Sequence, residues 1–67
     1  MVSEEKKKEY LDYIYEEMRR RGISSEEIPY VIAKTGFMSA LEEYPEEQLH
    51  YSIPDAVDEI LVVAATA

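Results

Sequence analysis

The run RRGISSEEIPYVIAKTGF, Arg20 to Phe37, decides the fold, because it writes a helix stop, a helix start and a second stop in quick succession. Gly22 stands where a left-handed residue ends a helix, and Ile23 behind it is placed to fold back on Met18 as the apolar contact that accompanies such an end. Ser24 and Glu27 have the spacing of a capping box, and Ile23 with Ile28 has that of a hydrophobic staple, so a new helix is predicted at once. Pro29 qualifies the start. Inside a helix it removes a backbone hydrogen bond, so either the first turn is loose or the regular helix begins at Pro29. Ile28, Val31 and Ile32 then share one inward face until Gly36 ends the segment, with Phe37 able to touch Ile32.

The same punctuation extends in both directions. Towards the N-terminus, Ser3 is placed to cap a helix whose first turn carries Glu4 and Glu5 and whose last carries Arg19, Arg20 and Arg21, each sign at the dipole end that favours it. Leu11, Ile14, Tyr15 and Met18 follow the i, i+3, i+4, i+7 pattern of a buried face. Towards the C-terminus, Phe37, Ala40, Leu41 and Tyr44 repeat that pattern, and Pro45 closes it by disfavouring helical geometry at Tyr44. Pro45 can open a short turn of its own, with Glu46 and Glu47 at favourable first-turn positions and Leu49 inward. A last helix is expected from Ser52 or Pro54, with Val57, Ile60, Leu61 and Ala64 on one face. The apolar run ILVVA also suits a strand by composition, but a lone strand has nothing to pair with. The expectation is an all-α fold, a small bundle of three to five short helices in one domain over residues 1–67. Its predicted core is Leu11, Ile14, Met18, Ile28, Ile32, Phe37, Leu41, Leu49, Ile60 and Leu61.

A chain of 67 residues buries only about 60% of the surface its unfolded form exposes. Domains this small lean on disulfides, a metal or a partner. The absence of cysteine removes the first, and a single histidine among carboxylates is a poor zinc site, so neither metal nor cofactor is expected and a partner or a second copy is. No apolar run reaches the roughly 18 residues of a membrane span, and the charged start MVSEEKKKEY does not lead into a signal-peptide core; a cytoplasmic chain without a membrane partner is expected. Net charge is −8, and its distribution is uneven: Met1 to Lys34 carries all 7 basic residues against 8 acids, whereas Thr35 to Ala67 carries 7 acids and no base. Direct nucleic-acid binding is not expected of such a chain, since phosphate affinity comes from lysine and arginine. A helix-turn-helix across Gly22 would have only Lys34 as a base on its recognition helix.

The acidic half centres on Glu42 to Ile60, which holds the only histidine. Catalysis at His50 would need an orienting carboxylate, a nucleophile and a pocket. Glu46 and Glu47 have the spacing for the first, and Ser39 or Ser52 could be imagined as the second. No strained-turn signature surrounds either serine, however, and a bundle this small rarely encloses a pocket of about 300 Å³. A structural or capping histidine is therefore preferred, and no catalytic residue is assigned. The acids Glu42, Glu43, Glu46 and Glu47, like Asp55, Asp58 and Glu59, lack the central glycine of a calcium loop and read as a solvated face or a partner-directed surface. Tyr13 points nearly opposite to Leu11, among charged neighbours, and is a candidate exposed contact because tyrosine is enriched at binding hot spots.

The order of residues also resembles a family of short bacterial proteins of unknown function, encoded beside toxin genes of the ADP-ribosyltransferase type and regarded as antitoxin-like. The resemblance runs from Tyr10 to Leu61. It rests on Glu16-Glu17, Gly22-Ile23-Ser24, Lys34-Thr35-Gly36, Tyr44, Leu49-His50 and Val57-Asp58-Glu59-Ile60. Where the family continues Leu-His with threonine and glycine, this chain has Tyr51 and Ser52. The resemblance implies a small helical accessory protein and no catalytic residue. The leading expectation is a non-enzymatic interaction module, antitoxin-like, whose acidic face at Glu42, Glu43, Glu46 and Glu47, with Tyr13 as a further contact, binds a basic protein partner. The alternative is a small acidic regulator that mimics nucleic acid or dimerises to control a DNA-binding protein.

Overall fold

The computed structural model describes residues 2–66 and is all-α: α1 (Glu4–Arg20), α2 (Ile28–Thr35), α3 (Phe37–Glu43), α4 (Pro45–Leu49) and α5 (Ile53–Thr66). The longest helix begins and ends as its sequence dictates. The Ser3 hydroxyl accepts the Lys6 N–H at 3.1 Å, which satisfies one of the donors that a helix start leaves open. At the other end Gly22 sits at φ 93°. Its N–H donates to the Arg19 carbonyl at 3.0 Å and that of Ile23 to the Met18 carbonyl at 3.1 Å, the two closing bonds of a Schellman end.

The start of α2 follows what Pro29 leads one to expect and departs from what Ser24 does. No side chain caps it, and the Ser24–Glu27 capping box does not form. Pro29, having no N–H, fits only a first turn. The helix boundary therefore falls at Ile28, and residues 25–27 become a turn that Ser24 closes with its carbonyl, accepting from the N–H groups of Glu27 at 3.0 Å and Ile28 at 3.2 Å. Gly36, at φ 72°, separates α2 from α3. The Thr35 hydroxyl holds that corner, donating to the Ile32 carbonyl at 2.8 Å and accepting the Phe37 N–H at 3.3 Å. Ser52 starts α5: its hydroxyl accepts the Asp55 N–H at 3.3 Å and its carbonyl the Ala56 N–H at 2.9 Å. Residues 60–65 are helical, and the turn at Tyr51 and Ser52 closes without a left-handed residue.

Helix α5 packs on α1 and α2, while α3 packs on α2 and α4; α3 and α5 scarcely meet. Between them lie Tyr10, Ile14, Met18, Ile28, Ile32, Phe37, Leu41, Ala56, Val57 and Ile60, all buried. Leu11, Leu49 and Leu61 were expected in this core and instead flank it, half-buried. The stripe of α1 is centred one position earlier than apolarity alone suggests, on Tyr10, Ile14 and Met18. Tyr10 belongs to it because its ring stacks on Phe37, centroids 6.3 Å apart, and its hydroxyl donates to the Tyr51 carbonyl at 3.1 Å. Tyr44 is the opposite case. Its i+7 spacing from Phe37 predicts an inward ring, yet it is 58% exposed, because α3 ends at Glu43 and the extended φ of −131° before Pro45 takes Tyr44 out of the helical period. The Cα radius of gyration is 11.2 Å, close to the roughly 11 Å expected of a folded chain of this length.

Candidate interaction surface

The acids Glu42 and Glu43 come from the last turn of α3, and Glu46 and Glu47 from the first turn of α4. The Tyr44–Pro45 break between the helices turns the chain so that all four carboxylates are exposed around one corner. Glu46 and Glu47 gain there from the positive end of the α4 dipole. The corner borders a shallow depression of about 490 Å³, lined also by Val2 and by Lys7 of α1.

One cation reaches into this corner from α1. The Lys7 ammonium lies 3.1 Å from Glu4 and 3.3 Å from Glu42, and these carboxylates, Glu4 foremost, hold it above its ordinary pKa while partial loss of solvent acts the other way. Glu42 is thus tied into the fold, whereas Glu43 and Glu47 make no ion pair or hydrogen bond through their side chains among the described residues. Tyr13 is 59% exposed on α1 and lies outside the depression lined by the four acids. It is brought to the surface but not into one site with them.

His50 is exposed at the C-terminal cap of α4, its backbone N–H donating to the Glu47 carbonyl at 3.2 Å. Of the two serines considered with it, Ser52 accepts the Asp55 N–H at the start of α5, and Ser39 is exposed on α3. The structure holds hollows above 300 Å³. They are open depressions instead of enclosed pockets, and none of those at hand is lined by His50. Among the described residues no three histidine, cysteine or acidic side chains are grouped so that they could hold a metal ion.

Two features were not foreseen. Arg21 does more than complement a dipole: its guanidinium bonds Glu17 at 2.9 Å, Asp58 at 2.6 Å and the Pro54 carbonyl at 3.2 Å, latching the start of α5 to the end of α1. Asp58 first, then Glu17, push its pKa further up. No local pattern announces a partner 37 positions away. Asp58 is thereby paired, and Asp55 and Glu59 are left as the acids of α5 with no side-chain ion pair among the described residues. The second is the depression beside those two acids, of about 500 Å³, between α3 and α5. No family model matches the chain, and neither a curated protein nor a solved structure matches it.

Proposed function

We propose that the chain is a non-enzymatic interaction module that works in the cytoplasm and binds a basic protein partner through the corner formed by α3 and α4. The role is antitoxin-like in the sense of the family it resembles. The observation that carries the reading is the arrangement of Glu42, Glu43, Glu46 and Glu47 on one exposed corner, in a half of the chain that has no lysine or arginine. Concentrated like charge costs self-repulsion, and nothing in the packing of the core requires it at these positions. A cationic surface would relieve it, and complementary fields also steer encounter.

Among the described residues no helix is long and apolar enough to cross a membrane, so the reading needs no lipid. The test is capture from cells of the source organism on the immobilised protein, beside a variant with Glu43, Glu46 and Glu47 changed to lysine. Glu42 is left in place because it holds Lys7. A basic protein retained by the native chain and lost by the variant supports the reading. Equal retention by both removes the corner from the interaction.

A further inference from the structure

We propose that the groove between α3 and α5 seats an apolar anchor of the partner, presented on an amphipathic helix whose flanks carry lysine or arginine. The inference rests on the reading of the chain as a module for a basic partner, and adds a second, apolar contact away from the acidic corner. Two small residues, one from each helix, help to line the groove. Ala40 on α3 and Ala56 on α5 project only methyl groups, while Phe37 and Ile60 form apolar walls beside them. Since α3 and α5 scarcely touch and both pack on α2, the hollow of about 500 Å³ opens outward.

Its rim decides the occupant. Asp55 and Glu59 are exposed one helical turn apart on α5, and neither side chain has an ion pair or hydrogen bond among the described residues. Tyr51, 58% exposed, forms another edge and offers an apolar ring with a polar tip, as interface tyrosines do. An apolar floor with a two-carboxylate rim calls for apolar side chains flanked by cations. A helix laid in a groove provides both, at i, i+3 and i+4 positions. A second copy of this chain fits worse, because each copy carries −8 and association would bring like fields together.

The test uses two synthetic helical peptides of about five turns, one with leucine along one face and lysine elsewhere, the other with each leucine replaced by glutamine at unchanged charge. Each is titrated into the ¹⁵N-labelled protein. The expected result is that the leucine peptide shifts the amides of Ala40, Ala56 and Ile60 and binds at least about tenfold tighter than the glutamine peptide. That preference should fall severalfold in Ala40→Leu, which fills the groove, and the salt dependence should weaken in the double variant Asp55→Asn, Glu59→Gln, both with the circular dichroism of the native chain. Equal affinities with shifts confined to residues 42–47 overturn the groove while leaving the acidic corner standing. Absence of binding by both peptides also overturns the groove, and the corner is then judged by its own capture experiment. Groove shifts that grow with protein concentration before any peptide is added assign the groove to a second copy and overturn the basic helix.

Discussion

Tyr10 shows how much one side chain organises. Burial of its ring raises the hydroxyl pKa above the ordinary value, and that hydroxyl ties α1 to the turn before α5 through the Tyr51 carbonyl. A folded pKa above the unfolded value of about 10 means that the folded state holds its proton longer. The stabilisation is therefore complete below pH 10 and is lost as pH rises through the folded value. Chemical denaturation of the native chain and of Tyr10→Phe should show the native chain losing stability over that alkaline window more steeply than the variant. At neutral pH the variant should be weaker by about 1 kcal/mol, the usual worth of one hydrogen bond. Parallel alkaline curves would contradict the assignment. Leu41, 2% exposed in the core, gives a plainer prediction: Leu41→Ala should cost about 2 to 5 kcal/mol in the same measurement. A loss under about 0.5 kcal/mol belongs to surface positions and would contradict its burial.

At the scale of elements, the helix ends written in local chemistry were legible and those set by competition were not. Ser3, Gly22 and Gly36 each act within a few residues of themselves, so their spacing carries the whole signal. Ser24 failed as a cap because Pro29, five positions on, claims the first turn for itself. Tyr44 failed to face inward because a period holds only while the helix does, and Pro45 ends it. The Arg21 latch was beyond reach for a different reason: it depends on how α5 crosses α1, which no local spacing encodes. Arg21→Gln should leave the fold intact but free the first turn of α5. Amide exchange at Asp55 to Asp58 should quicken there and stay unchanged in α2. Equal exchange in the two proteins would show the latch to be incidental, as many exposed ion pairs are.

At the scale of the whole molecule, the charge imbalance was readable from the sequence and its placement on the fold was not. The −7 of the second half is a simple count along the chain. What the fold adds is the pairing of two of those acids: Glu42 and Asp58 stay exposed but meet Lys7 and Arg21, and the side chains of Glu43, Glu47, Asp55 and Glu59 have no ion pair among the described residues. The groove between α3 and α5 could not be foreseen, since its lining brings together residues distant in sequence, Ala40 and Ala56 among them, 16 positions apart. The claim that joins these features is that the acidic corner steers a basic partner. It is tested most directly by the rate of association with the captured partner as a function of ionic strength, for the native chain and for the variant with lysine at Glu43, Glu46 and Glu47. The native rate should fall steeply as added salt shortens the screening length towards about 8 Å, and the variant should associate at least about tenfold more slowly at low salt, with that slope largely gone. Equal rates with equal salt dependence would contradict the claim and leave the corner as solvated surface.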